Sequence, residues 1–503
     1  AEFGEMLRAR LRESADGFWS LDVPANPPEP FGDLDPSVGR SSVWRLVDGN
    51  RAEVTIHHLG VDAVSWQVIE TDLHAALRGG DLPPVRPFRD WALDLVERAQ
   101  TPEILAQFGY WTSIEYGPPL PKGEPATADR TVRLGTLWTE AERKFRANGQ
   151  DVLVTAIVQA LGDTTLALET HGRDDHNTGM VGWFTTLYPV RVHTGDLKSV
   201  KEQLRAVPDK GIGYGLLRYL NPQTAPAFTG QPDLLVNFLG RRHDDIRPAG
   251  DTAYARELTA YTRPDGTLKI HFGHTMAPEA ATAFLDRLED ELHRLADHVA
   301  GTPARRTPSD LTRRGISQHE MDQLEGDWLD IVPLSPLQEG LLALAHTRPT
   351  ALDVYTVQIV LHFDEPLDPQ RLTNALTELV NRHQALRTGF HYLDGKAVGV
   401  VHDTGPVSLE ANADEHRTER FDLTKPPLFR FAHTDSTLTI TGHHLAWDGW
   451  SSPLLVNELV TLYEGGTPPV TTAYQDYLTW LAHDTSGCSF DRSTSSIRSS
   501  EHP

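Results

Sequence analysis

Two adjacent histidine pairs, His57-His58 and His443-His444, are the residues in this sequence best placed to do chemistry. Each pair is followed by an aspartate, Asp62 or Asp448, four positions after its second histidine. Residues 56–66 read IHHLGVDAVSW and residues 442–452 read GHHLAWDGWSS, so a leucine after the pair and a serine after the aspartate recur as well. Histidine is the side chain best suited to move protons near neutral pH. A lone inward histidine is commonly a hydrogen-bonded core residue, but two copies in matching context point to proton chemistry. Zinc is disfavoured, because helical metal motifs place histidines at i and i+4 whereas neighbours on a strand diverge. No metal site is expected. Glu169, at the end of an expected strand over 164–169, alternates with Leu166 and Leu168 and can point away from the core. It reads either as an exposed strand carboxylate or as an acid–base group, with His171 and Asp174 as nearby alternatives.

The elements that carry these residues follow from periodicity. Both histidine pairs come after alternating strands. Val54, Ile56 and His58 share one face, as do Leu438, Ile440, Gly442 and His444. Alternation therefore places the second histidine of each pair on the apolar side and the first histidine away from it. Trp66, Ile69, Leu73 and Leu77 recur at helical spacing, and Asp62 or Ser65 can cap that helix. A buried helix over 152–161, a strand over 233–239 and an amphipathic helix over 280–299 complete a first region spanning 1–300. Its two lobes are expected at about 1–148 and 149–300. Residues 301–327 read as a linker, and a second apolar pattern runs over 328–483. The serine-rich stretch 484–503 is expected to be disordered.

Composition narrows the function classes. The chain has 503 residues, room for two to four domains or lobes, with 70 acidic against 46 basic residues and a net charge of −24. That balance argues against nucleic acid and anionic membrane as partners, since phosphate binding needs clustered Lys and Arg. No apolar run approaches the ~20 residues of a membrane span, and no basic-then-apolar leader opens the sequence. The single cysteine, Cys488, precludes an internal disulfide and a Cys-rich metal site. A soluble cytoplasmic protein is expected.

The motifs also carry a resemblance. HHLAWDGWS resembles the HHxxxDGxS motif of condensation domains in nonribosomal peptide synthetases, and HHLGVDAVSW resembles the corresponding motif of their epimerisation domains. LETHGRD at 168–174, VGWFTTLYPV at 181–190, PDKGIGYGLLRYL at 208–220 and VNFLG at 236–240 are similar to further epimerisation-domain segments. SPLQEGLL at 335–342, RHQALRTGF at 382–390 and YQDYLTW at 474–480 are similar to condensation-domain motifs, in a type that usually takes a D-configured donor. Departures exist. Ala63 stands where the family usually has Gly, the opening motif of the first copy is missing, and the second copy stops near Leu481 without its second lobe.

The resemblance implies an α/β fold of the chloramphenicol-acetyltransferase-like kind: a two-lobed, V-shaped domain followed by a second, incomplete copy. It implies epimerisation of an aminoacyl or peptidyl thioester, with His58 and Glu169 as the two proton-transferring groups. His444 would orient or deprotonate an acceptor amine. His57, His443, Asp62, Asp448, Gly449 and Arg387 would support these sites, and Tyr214 and Asn237 would position substrate. Asp448 would pair with Arg387 or Arg382, Asp62 with Arg8. Gly449 would permit a close backbone approach, and Trp450 would serve packing. No cofactor would bind directly. The substrate would arrive on the 4'-phosphopantetheine arm of a partner carrier protein, alongside other synthetase modules. Two rival readings are a non-catalytic docking or scaffold piece and an acyl-CoA-type acyltransferase. The segments around Glu169 and Phe184 disfavour the second rival.

Overall fold

The computed structural model describes residues 7, 9–13, 19–22, 34–38, 40–48, 51–82, 84–117, 123–174, 177–243, 245–246, 254–304, 306–324, 328–347, 354–403, 405, 407–411, 413, 416 and 418–484. Arg8 and nearly all of the expected 484–503 tail lie outside these residues. The chain divides into two compact units, 1–305 and 306–503. No helix among the described residues is long and apolar enough to cross a membrane.

The first unit is built on a six-stranded mixed sheet. Its strands lie in the order Ala126–Arg133, Thr267–His274, Arg256–Thr262, Leu234–Arg241, Thr164–Thr170 and Thr186–Val192. Leu234–Arg241 runs parallel to both of its neighbours, and the remaining pairs are antiparallel. Alternation divides the strands. Leu166, Leu168, Val236, Leu258, Ala260 and Ile270 join one core with the helices Gly149–Leu161 and Pro278–Gly301. The intervening residues, Glu169 and Asn237 among them, occupy the other face.

Local signals set the helices. Asn148 and Asp151 form a capping box at the start of Gly149–Leu161, and Asp196 caps Leu197–Arg205. The long helix Pro278–Gly301 begins with proline at its first turn and buries Phe284, Leu285, Leu288, Leu292, Leu295 and Val299. Each such side chain contributes roughly 1.5–3 kcal/mol. Two buried lysines hold helix ends. Lys144 Nζ donates to Val299 O at 2.7 Å and Ala300 O at 3.0 Å, and Lys201 Nζ donates to Phe145 O at 2.7 Å. A cation is favoured at a helix C-terminus, where carbonyls lack intrahelical donors.

Upstream of this layer are two hairpins, Arg10–Glu13 with Trp19–Asp22 and Ser42–Asp48 with Arg51–Ile56, followed by helix Ser65–Leu77. Their small core is Leu7, Val61 and Ile69, with Ile56 and Val181 packed against it. The lobe boundary expected near residue 148 falls inside the six-stranded layer, because Ala126–Arg133 is its edge strand. That strand buries only Val132, so its sequence lacks the apolar alternation that would have marked it.

The second unit has a three-stranded sheet, Trp328–Val332, Lys396–His402 and Thr388–Leu393, and a four-stranded sheet, Thr356–His362, Thr437–His443, Phe429–Thr434 and Leu409–Glu410. Helices Pro369–Arg382 and Ser451–Tyr463 cover its main core. Part of the expected linker is structured. Leu311, Ile316 and Met321 are buried against Ile331, Val398 and Val400. Capping boxes at Thr307 and Ser317 start two short helical turns there. Isolated apolar residues among Pro, Thr and Arg gave no periodicity by which to anticipate this packing.

Candidate functional site

Asp62 organises the first motif copy. Its Oδ1 accepts from Ser65 N, Ser65 Oγ and Arg173 Nη2, each at 2.8 Å, and its Oδ2 accepts from Phe184 N at 3.2 Å. The Asp62 amide donates to Gly182 O at 3.0 Å. Burial alone would raise this carboxyl. The hydrogen bonds from Arg173 and Ser65 outweigh it and hold Asp62 below the ordinary carboxylate value. Arg173 is buried too. Its Nη1 donates to Asn177 O at 3.0 Å and Met180 O at 2.8 Å, and its guanidinium lies 4.3 Å over the Phe184 ring. Gly172 allows the chain to pass here. Its φ is +58°, and a Cβ would sit 1.9 Å from Phe184 O. The histidine turn is thus roped to the segment 171–184. The partner expected for Asp62, Arg8, lies outside the described residues. Arg173, within the LETHGRD segment, supplies the observed guanidinium.

The two histidines of each pair differ from the expectation. The first histidine is the anchored one. His57 Nδ1 accepts from Leu59 N at 3.2 Å, and His443 Nδ1 accepts from Leu445 N at 3.1 Å. His443 is fully buried. The second histidine is the available one. His58 is exposed, and its ring lies against Trp183 with centroids 5.0 Å apart. His444 is half-buried, with Nδ1 3.3 Å from Trp447 O. A carbonyl only accepts, so that contact puts the hydrogen on Nδ1 and leaves Nε2 as an acceptor. The expectation failed because the first strand ends at Ile56, before its pair, and the second ends at His443, where both of its faces are buried. Strand alternation does not extend into the turn that follows.

Glu169 stands on the sheet face opposite the core. Asn237 Nδ2 donates to its Oε2 from the neighbouring parallel strand. Burial first, and the Glu257 carboxylate second, push the Glu169 carboxyl up to about 7. It is therefore a carboxylic acid able to give or take a proton near neutrality. Close by, His171 Nδ1 accepts from Arg173 N at 3.0 Å. Burial, with Lys210 and Arg173, lowers the His171 pKa. Among the described residues no hydrogen bond or ion pair joins His58 to Glu169. What links them is the segment after Glu169, which reaches Arg173 on Asp62 and Trp183 on His58. Tyr214 is buried among Trp111 and Phe228, and its hydroxyl accepts from Arg218. No hydrogen bond joins it to Glu169 among the described residues.

The second copy is simpler. Asp448 is exposed and accepts from Ser451 N at 2.8 Å and Ser451 Oγ at 2.7 Å, which hold its carboxyl low. These bonds close the turn that leads into helix Ser451–Tyr463. The arginines expected to pair with it are engaged elsewhere. Arg387 donates to His402 O and Asp403 O, and Arg382 donates to Glu458 and Pro469 O. The described residues of the second unit offer no counterpart of the Arg173, Gly182 and Phe184 contacts. At Gly449, a Cβ would meet nothing within 4 Å, so no close approach requires glycine there. Trp450, expected to pack, is 87% exposed.

Arg173, Glu257 and Trp183 were not singled out by sequence reasoning as site residues. Arg173 and Trp183 stood in the quoted segments and could have been found there. Glu257 carried no signal, since one charged residue at a strand start is ordinary.

The condensation-domain family model matches residues 48–304 and 329–490. Bacitracin synthase 3 of Bacillus licheniformis is 27% identical over 540 residues, covering 87% of this chain and 8% of that protein. Chondramide synthase cmdD of Chondromyces crocatus is 27% identical over 559 residues, covering 85% of this chain and 14% of that protein. The chain thus spans a small part of the length of both relatives. Among solved structures, the epimerization domain from the third module of tyrocidine synthetase B matches with a TM-score of 0.50 at 23% identity. That match covers 59% of this chain and 87% of the other. The likeness is one of fold: the α/β, chloramphenicol-acetyltransferase-like class expected from the motifs.

Proposed function

The chain belongs to the condensation-domain family of nonribosomal peptide synthetases, and from that membership we propose that its first unit epimerises the α-carbon of an aminoacyl or peptidyl thioester. The substrate is delivered on the phosphopantetheine arm of a partner carrier protein, within a larger set of synthetase modules. The observation that carries the reading is Glu169, a half-buried carboxyl raised to about 7, on the strand that leads into the segment roped to the His58 turn. Epimerisation needs one group on each side of the α-carbon. The base, His58, takes the α-proton, and the electron pair of the broken C–H bond stays on the thioester enolate. Glu169 then gives its proton to the opposite face, forming the new C–H bond. Imidazolium and carboxylate remain, and solvent resets both. His57, Asp62 and Arg173 hold the turn and do not touch substrate, and Asn237 orients Glu169. The test is direct. A carrier protein loaded with an L-aminoacyl group is incubated with the chain, and the released amino acid is resolved by chiral chromatography. The D form should accumulate toward a fixed D/L ratio. A purely L product, with carrier binding retained, would replace this reading with the scaffold reading.

The second unit is proposed to be unable to form an amide bond by itself. Support comes from the exposed Asp448, whose carboxylate is held by Ser451 and, among the described residues, by no arginine. His444 has a suitable acceptor in Nε2 but, among the described residues, no clamp of the Asp62–Arg173 kind around its turn.

A further inference from the structure

The sheet face that carries Glu169 holds a second carboxylate that the proposed reaction does not use. Leu168 pairs in register with Val236, and Asn237 pairs with Thr259, so Glu169, Asn237 and Thr259 stand level on three adjacent strands. The row continues through His271, the register partner of Thr259, to Asp129, the register partner of His271. Glu257 lies two positions before Thr259 on the same strand, hence on the same face. The opposite faces of these strands are core, through Leu168, Val236, Leu258 and Ile270. Asn237 Nδ2 donates to Glu169 Oε2, and Thr259 Oγ1 donates to Glu257 Oε1 at 3.3 Å. Two acids are therefore held by neutral donors on one face. Among the described residues no ion pair reaches either of them.

The charged and titratable groups around Glu169 can be followed element by element. Strand Thr186–Val192 places Leu187 level with it, and Arg191 is four positions away, beside Thr165. Strand Leu234–Arg241 presents the neutral Asn237, while Arg241 donates to Pro264 O at the strand end. Strand Thr267–His274 presents His271, whose Nδ1 is 2.5 Å from Asp129 Oδ1. From helix Gly149–Leu161, Gln150 Nε2 donates to the Glu169 carbonyl at 3.3 Å, and Asp151 is matched by Arg205. His171 has its Nδ1 taken by the Arg173 amide. Tyr254, pushed up to about 12 by burial and neighbouring tyrosines, stays neutral. Asp129, Lys269 and Arg191 also lie on this face, bonded to His271, Thr131 and Thr165, and Glu257 is the charge that raises Glu169.

From this arrangement we infer that Glu257 is a positioning residue for Glu169: its negative charge on the shared sheet face adds to burial in favouring the protonated Glu169 carboxyl. Its place in the reaction rests on the epimerase reading above, whereas the coupling of the two acids does not. Like charges on one low-dielectric face disfavour double ionisation. Glu169 therefore begins the cycle as the proton donor, and His58 as the acceptor. With Glu257 neutralised, burial alone holds the proton, so a larger share of Glu169 starts as carboxylate at neutral pH and donation to the enolate slows.

The test is an infrared titration of the Glu169 carboxyl in the full chain, its band identified by difference against Glu169→Gln. In the wild type it should titrate near 7. In Glu257→Gln it should move down toward the ordinary 4.5 without reaching it, because burial, the larger cause, remains. The alkaline limb of the epimerisation rate, set by loss of the Glu169 proton, should move down with it. Thr259→Val, which removes the hydroxyl on Glu257 but keeps the charge, should leave the titration in place. Should Glu257→Gln not fold, Glu257→Thr, neutral and suited to a strand, carries the same expectation. An unmoved Glu169 titration in a folded neutral variant overturns the inference. The titration needs no turnover, so the two claims fail separately. A chain that does not epimerise but whose Glu169 moves sinks the proposed function alone. A chain that epimerises with an unmoved Glu169 sinks the coupling alone.

Discussion

The Asp62–Arg173 pair and the Glu169 carboxyl pull stability in opposite directions with pH. Asp62 is held below its unfolded value, so its contribution is present above that value and is lost as pH falls through the folded one. Glu169 is raised from 4.5 to about 7. The unfolded chain releases that proton first, so Glu169 costs stability as pH rises from 4.5 to 7 and no further beyond it. The cost is on the order of 3 kcal/mol. Glu169→Gln should thus gain stability relative to the wild type between pH 5 and pH 8, by roughly 2–3 kcal/mol. Urea melts at the two pH values check this, and equal differences at both would refute it. Arg173→Ala leaves a buried carboxylate without its guanidinium and should cost about 3–5 kcal/mol. Arg173→Lys should recover little, since an ammonium lacks the planar fork that reaches Asp62, Asn177 and Met180 together. Asp448→Ala, at an exposed turn leading into a helix, should cost only ~0.5–2 kcal/mol, the range of a lost capping bond. Thermal denaturation of the variants would expose a wrong ranking.

At the scale of elements, the segment 171–184 matters most, because it joins the six-stranded layer to the histidine turn. Gly172 sits in the left-handed region and has Phe184 O where a Cβ would go. Gly172→Ala should loosen this segment while the sheet stays intact. Amide hydrogen exchange should rise over 171–184 and remain slow in Thr164–Thr170 and Leu234–Arg241. Unchanged exchange in the segment would mean the rope is not held as argued. This is also where the sequence was legible and where it was not. The interior strands Thr164–Thr170 and Leu234–Arg241 and the helix Pro278–Gly301 showed their apolar spacing, whereas Arg256–Thr262 and Thr267–His274 went unread. The edge strand Ala126–Arg133 did not, because an edge buries little. Burial at Leu311, Ile316 and Met321 was hidden for a similar reason: three scattered contacts have no period. The histidine pairs were found from residue type and repetition, but which member of each pair faces the core was inverted. Only a structure shows that each strand stops before its second histidine. Glu257 was invisible because coupling to Glu169 depends on strand order, which a linear reading does not give.

For the whole molecule, the two motif copies are unequal. The first has its aspartate buried and clamped by a distant arginine, and the second has its aspartate exposed on a helix end. The chain should therefore epimerise but not condense. Supplied with a loaded donor carrier and a loaded acceptor carrier, it should yield no dipeptide by mass spectrometry, and a dipeptide would contradict that division. The most direct test of the central claim is α-proton exchange in deuterated water, starting from each enantiomer of a carrier-bound aminoacyl thioester. Wild-type chain should invert both enantiomers and place solvent deuterium at the α-carbon. His58→Ala and Glu169→Gln should each lose inversion, and each should retain exchange with retention for one enantiomer only, the opposite one in the two variants. Inversion with deuterium uptake that survives either substitution would contradict the assignment of these two residues to opposite faces of the carbon.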